Sequence, residues 1–284
     1  MRDRAQPLWS RAFSETDLET PLHAKSPSLD AVRARIDEVD AALVKLVDER
    51  ASLAREVAEA KRAAGETLTL GLRPAREAAL IRGLLATPGL TASAQLTVRL
   101  WRELISDSLV QQGPFHLAVW GGAQATRTVE LARLRFGAAP ALAVCPSPEA
   151  ALAGAREPGG VAVLGLGGDT PWWASLLAEP GLNVFASLPC LHSLGPQAAL
   201  AVADVAVEPT ERDETYWVTD AADPSGHIEL VLARAGVAAR LIAETAGARL
   251  FGLAGFFGRE DPKLARAPGR LKGVIGASPT PFDL

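Results

Sequence analysis

Cations recur where an apolar stripe should run. Between residues 29 and 64, Val32, Ile36, Val39, Leu43, Leu46, Leu53 and Val57 repeat at three- and four-residue steps, the spacing of one buried helical face. Arg50 falls on that stripe between Leu46 and Leu53, and Lys61 follows Val57 by one turn. A charge on a core face is costly unless an anion meets it, and that anion is either a carboxylate of the protein or a ligand. Arg50 and Lys61 share a face about 16 Å apart, so their long side chains can grip something between them. Arg33 lies roughly 25 Å from Arg50 and roughly 42 Å from Lys61 along the same straight helix. It can join such a site only if a second copy of the helix runs antiparallel past the first. If Arg33 is functional, the pattern predicts a dimer with shared sites.

Further along, Trp101, Leu104, Ser108 and Gln112 lie on one helical stripe, so two hydrogen-bonding side chains replace apolar ones one turn apart. Arg76 and Glu77 fall in the first turn of another helix. Together these residues supply several cations, one carboxylate, an amide and a hydroxyl, with no obvious nucleophile or histidine base. Such a set suits a small polyanion whose chemistry requires positioning more than proton transfer. Each residue also has a structural reading. Arg50 can pair with Asp48, Glu49 or a facing acid, Ser108 can bond back to its own helix, and Gln112, Arg76 and Glu77 can sit at solvated helix ends. Only their joint placement favours a site.

Three helices must position these groups. The first starts near Ser28, a suitable N-cap, and ends before Gly65; the second runs from Pro74 to about Ala86; the third follows Thr91 and stops at Gly113-Pro114. After Pro114 short β-rich runs alternate with helical patterns: His116–Trp120, Arg127–Phe136, Ala141–Cys145, Pro148–Arg156, Gly160–Leu166, Trp172–Ala178 and Asn183–Ser187. That alternation predicts an α/β domain with a largely parallel sheet. Further runs follow at Asp204–Val207, Thr215–Thr219 and His227–Ala233, then a helix Ala238–Ala246, then Leu250–Phe257 and Leu271–Ile275.

Composition narrows the partners. A net charge of −4 argues against a nucleic-acid binder. No run of about 18 apolar residues is present, so no membrane span is expected. Residues 1–28 lack the apolar core of a signal peptide and read as a flexible leader. Two cysteines, Cys145 and Cys190, fit a reducing cytoplasm. His192 has no visible metal partners, Gly165–Gly168 matches no phosphate-loop pattern and reads as a tight turn, and Trp172 and Trp173 read as cover for the sheet.

The stretches LDAVRARIDEVDAALVKLVDERASLAREVAEAK, RPAREAALIRGLL and RLWRELISDSLVQQ resemble the all-helical chorismate mutases. They look most like the mutase domain fused to prephenate dehydratase in bacterial bifunctional enzymes. The resemblance covers about residues 29–113. It implies an intertwined homodimer of three-helix protomers that rearranges chorismate to prephenate without cofactor or metal. By motif, Arg33 from one protomer and Arg50 and Arg76 from the other would bind the two substrate carboxylates, with Ser108 nearby. Glu77 would accept a hydrogen bond from the ring hydroxyl, and Lys61 and Gln112 would donate to the ether oxygen. The family often carries an acid where this chain has Arg73, three residues before Arg76, which bears on the contacts to the ring hydroxyl.

Residues 115–222 resemble a degenerate prephenate dehydratase domain, and residues 223–284 an ACT-like or α+β segment. Thr215 survives from the family's Thr-Arg-Phe motif, but Tyr216 and Trp217 replace the other two residues. Gly167-Gly168-Asp169-Thr170 stands where the family has Glu-Asn-Ser, and the region is short by about one lobe. A mutase with a non-catalytic appendage is therefore expected. A bifunctional mutase–dehydratase and a non-catalytic helical dimer acting as a regulatory module stand as alternatives.

Overall fold

The computed structural model describes residues 28–65 and 71–282, so the leader lies outside the described residues except for Ser28. The described residues fall into two compact units that divide between Val47 and Asp48. Helix α1 (Leu29–Ala63) begins where the Ser28 hydroxyl accepts a hydrogen bond from the Ala31 amide at 3.2 Å. The apolar period is present, but the burial is not. Val32, Ile36, Val39, Leu43 and Leu46 of the first unit are exposed, as are Leu53 and Val57 of the second. Only Ala54 and Ala58 of this helix are buried, so the expected core stripe is uncovered in the single chain.

In the second unit, α2 (Pro74–Leu85) starts on a proline, whose missing N–H costs nothing in a first turn. Helix α3 (Ala94–Gln112) is capped by Ser93, whose hydroxyl accepts from the Leu96 amide at 3.2 Å. Ala78 and Ile81 of α2 and Val98 of α3 pack with Leu191 and Phe282.

The remainder is one mixed sheet flanked by helices. In chain order the elements are β1 (His116–Trp120), α4 (Ala125–Phe136), β2 (Ala141–Val144), α5 (Pro148–Arg156), β3 (Gly160–Gly165), α6 (Trp172–Ser175), β4 (Asn183–Leu188) and β5 (Ala199–Ala203). Then come β6 (Asp213–Thr219), α7 (Ser225–Arg234), β7 (Ala239–Thr245), β8 (Ala248–Ala254) and β9 (Lys272–Pro279). The strands lie in the order β2-β1-β3-β5-β4-β9-β6-β8-β7. Strand β9 is inserted between β4 and β6, so strands from before and after residue 222 share one sheet. Alternation directs the two faces of β1: Leu117 and Val119 meet Leu131 and Phe136 of α4, whereas Ala118 meets Leu152 of α5. Trp172 and Trp173 are buried against that second face, in line with the covering role read from the sequence. The edge strand β2 is largely exposed, Val144 included.

Four expectations are corrected. The sheet is not largely parallel: β1 runs parallel to β2 and β3, and β4 to β9, but the remaining neighbours are antiparallel. Connections such as β7–β8 are too short for the crossover that parallel strands require. Asp204–Val207 is not a strand; pairing takes the preceding residues, Ala199–Ala203, which lie buried between β3 and β4. His227–Ala233 lies inside α7, with Ile228 and Leu232 buried one turn apart, while the expected helix Ala238–Ala246 is strand β7. Ala246 and Gly247 both take positive φ, +47° and +77°, and close a two-residue hairpin between Thr245 and Ala248. The ladder to β8 overrides the helical preference of the alanines.

One buried ion cluster fastens the helices to the sheet domain. Glu77 Oε2 of α2 accepts from Arg102 Nη1 of α3 at 2.6 Å and from Arg135 Nη2 of α4 at 2.9 Å, and all three side chains are buried. The Arg135 guanidinium also lies 4.7 Å from the centroid of the Phe136 ring. Burial, reinforced by the Arg102 charge, pushes the Arg135 pKa down to about 10, and the Glu77 carboxylate opposes that shift. Arg135 therefore stays cationic at neutral pH.

Replacing Glu77 with Gln leaves two buried guanidiniums short of a counter-charge, at a cost of about 3–5 kcal/mol. Thermal unfolding should show a large fall in melting temperature. Glu130→Gln, in an exposed pair with Arg127, should leave it unchanged within scatter. A second test concerns Gly276, where β9 pairs with β4 opposite Val184. Its φ is +143°, and a Cβ there would sit 2.2 Å from the Val184 carbonyl oxygen. Gly276→Ala should destabilise by about 2–4 kcal/mol, whereas Gly226→Ala in α7, where nothing lies within 4 Å, should be neutral or slightly stabilising.

Candidate active site

Helices α1, α2 and α3 enclose a cleft of about 300 Å³ within the second unit. Arg50 and Lys61 reach it from α1, Arg76 and Glu77 from α2, and Ser108 and Gln112 from α3. Six of the seven residues singled out from the sequence are thus brought together. Arg33 belongs to the first unit, where it is exposed and lies 3.5 Å from Asp30, one turn earlier.

The cations are anchored by α3. Arg50 Nη1 donates at 2.5 Å to both the Leu104 carbonyl and the Ser108 hydroxyl, and Ser108 donates to the same carbonyl at 2.9 Å. Ser108 does bond back to its own helix, yet it also receives the guanidinium, so the structural and functional readings coexist. Partial burial lowers the Arg50 pKa from its ordinary value, and the Asp107 carboxylate opposes the shift. Lys61 Nζ donates to Gln112 Oε1 at 3.4 Å, a long contact between two side chains that both face the cleft.

Arg73 also lines the cleft, so the position where the family often has an acid adds a cation here. Arg50, Lys61, Arg73 and Arg76 make the cleft strongly electropositive. The one carboxylate, Glu77, has Oε2 committed to Arg102 and Arg135. Sequence reasoning missed both of those arginines. Arg102 was detectable in principle, because Val98, Arg102 and Ser106 form a second buried stripe on α3. Arg135 comes from a helix beyond the helical domain, and no local pattern links it to Glu77.

The arrangement can hold a compact polyanion and direct N–H donors at it. It offers no nucleophile–base pair. Among the described residues no group of three or more His, Cys, Asp or Glu could hold a metal ion, and no helix is long and apolar enough to cross a membrane. Away from the cleft, Thr215 is buried in β6, where its hydroxyl donates to the Gly255 carbonyl at 2.7 Å and accepts from the Phe257 amide at 2.9 Å. Trp172 Nε1 donates to the Gly165 carbonyl at 2.9 Å, which ties down the turn after β3.

Comparison with known proteins agrees with the geometry. The bifunctional chorismate mutase/prephenate dehydratase of Pseudomonas aeruginosa is 33% identical over 136 residues, covering 45% of this chain and 34% of the relative. The protein of the same description from Stutzerimonas stutzeri is 31% identical over 100 residues, covering 34% and 27%. The chain therefore spans about a third or less of these curated relatives. The solved structure of GqqA, described as a novel type of quorum quenching acylase, is similar at 18% identity with a TM-score of 0.39, covering 58% of this chain and 95% of that one. That last likeness is too weak to bear on fold or function. Residues 32–113, which supply every side chain named in the cleft, match the family model of chorismate mutase type II, and this part of the chain is a domain of that family.

Proposed function

We propose that the chain is a chorismate mutase of aromatic amino acid biosynthesis, with a C-terminal domain that does not catalyse a second step. The observation that carries this reading is the cleft itself: four cations, a carboxylate, a hydroxyl and an amide, without nucleophile or histidine base. Rearrangement of chorismate to prephenate is intramolecular and requires the enolpyruvyl arm folded over the ring. Holding both carboxylates fixes that conformer and lowers the barrier. Arg50 and Arg76 take the carboxylates, because a guanidinium pairs with them through two parallel hydrogen bonds. Lys61 and Gln112 donate to the ether oxygen, which gains negative charge as its bond to carbon breaks. Donors placed where charge develops favour the transition state over the ground state. Both arginine contacts to Glu77 use Oε2, which leaves Oε1 to accept from the ring hydroxyl.

The site is completed by a second copy. The stripe from Val32 to Val57 is apolar, regular and exposed, as expected of a helix that pairs with its own kind. An antiparallel partner would carry Arg33 to the neighbouring cleft. The free thiols Cys145 and Cys190 fit a cytoplasmic enzyme. The absence of dehydratase chemistry is inferred from Thr215, whose hydroxyl is occupied by backbone, and from Tyr216 and Trp217, both buried in the sheet.

The deciding assay supplies chorismate to the purified chain and measures prephenate and phenylpyruvate together. Prephenate should accumulate; phenylpyruvate would establish the bifunctional alternative, and unchanged chorismate would sink the mutase reading. Lys61→Ala should lower turnover by about 10²–10³-fold with the dimer intact by light scattering. Subunit mixing tests the shared site. Arg33→Ala and Lys61→Ala should each be nearly inactive, but a refolded equimolar mixture should recover about a quarter of wild-type activity, since random pairing gives one intact site in half of the dimers. Recovery of none would overturn the sharing of the site between protomers.

A further inference from the structure

A second cavity, of about 340 Å³, lies between the first half of α3, the second half of α4 and the loop around residues 189–194. Its size falls within the range of small-molecule sites. Much of its wall is aliphatic, from Leu96, Val98, Leu131, Leu134, Leu191 and Leu194, and two guanidiniums, Arg99 and Arg135, line it as well. Arg135 belongs to the cluster that fastens α2 and α3 to α4. That cluster holds two buried cations, Arg102 and Arg135, against the single carboxylate of Glu77, and so carries one uncompensated positive charge. Arg102 Nε is buried with no hydrogen-bond partner, a second sign that the cluster lacks an acceptor. Arg99 is exposed and makes no ion pair or hydrogen bond among the described residues. A buried excess charge beside an apolar chamber is costly unless an anion enters.

We propose that this cavity binds a small monocarboxylate with an aryl or branched apolar body, its carboxylate meeting Arg135 and Arg99 and its body packing against the leucines. A bare inorganic anion such as phosphate would meet the guanidiniums but leave the aliphatic wall unfilled. The site is separate from the cleft of α1, and the inference stands on the cavity alone, independent of the mutase reading.

Titration calorimetry on the full chain with 3-phenylpropionate, and with 3-phenylpropanamide as its neutral isostere, tests this. The acid should bind saturably and the amide at least about tenfold more weakly, the margin of a charge-assisted contact. Leu194→Trp, which fills the chamber without touching a charge, should abolish binding of the acid. Arg99→Gln, at an exposed side chain that the fold does not need, should weaken the acid and spare the amide. Lys61→Ala should bind the acid as the wild type does. Absence of saturable binding, equal affinity for acid and amide, indifference to both Leu194→Trp and Arg99→Gln, or loss of binding in Lys61→Ala would each overturn the proposal. The last outcome would put the probe in the mutase cleft.

Discussion

The structure depends on one shared carboxylate. Glu77 receives guanidiniums from α3 and α4 on one oxygen and faces the cleft beside Arg76. An ion cluster of this kind is weak evidence for net stability, because desolvation consumes much of what Coulomb attraction returns. Its value lies in geometry: three helices are held in register by a group that tolerates little displacement. The N-terminus of α2, and with it the cationic wall of the cleft, is fixed from behind by a residue of the sheet domain. The domain after residue 113 therefore takes part in shaping the site whether or not it has chemistry of its own.

Two kinds of surface compete for helix α1. An apolar stripe seeks cover, and a polar cleft must remain open to a charged ligand. Both sit on one helix because Arg50 and Lys61 are directed toward α3, while the larger aliphatic residues are left outward. The small buried residues Ala54 and Ala58 permit the close approach that this division needs. Thus the residues that first looked like interruptions of a core face are the ones with protein partners, and the regular part of the stripe is the part without cover.

Legibility in the sequence followed the range of the interactions. Helices α1, α2 and α3 were readable because their period, caps and stop signals are local, and the expected ends match to within a few residues. Six of the cleft residues were readable for the same reason, being spaced on helical faces. Arg135, the more distant partner of Glu77, was not, since the whole of α3 and β1 separates the two. In the sheet, strands with alternating or continuous apolar runs such as β1 and β3 were evident. The interchange of helix and strand around residues 227–246 arose because the alanine-bearing segment 238–246 gives up its helical preference to strand pairing. Its state is set by pairing with β8, which follows after a two-residue turn but which periodicity within the segment does not reveal. The same holds for β9, whose place in the middle of the sheet is purely a matter of topology.

The two margins of the sheet bear on how this protein survives at high concentration. Strand β2 at one margin is short, apolar and exposed, a template that could recruit strands from other molecules. Pro140 precedes it and Pro146 follows within two residues, so neither end offers the continuous row of amide donors needed to extend a ladder. Strand β7 at the opposite margin carries Arg240 and Glu244 instead, both tied to neighbours by ion pairs. One margin is thus protected against fibrillar stacking by backbone chemistry and the other by charge. A substitution that relieved Pro140 or Pro146 would remove that safeguard without altering a single contact in the cleft.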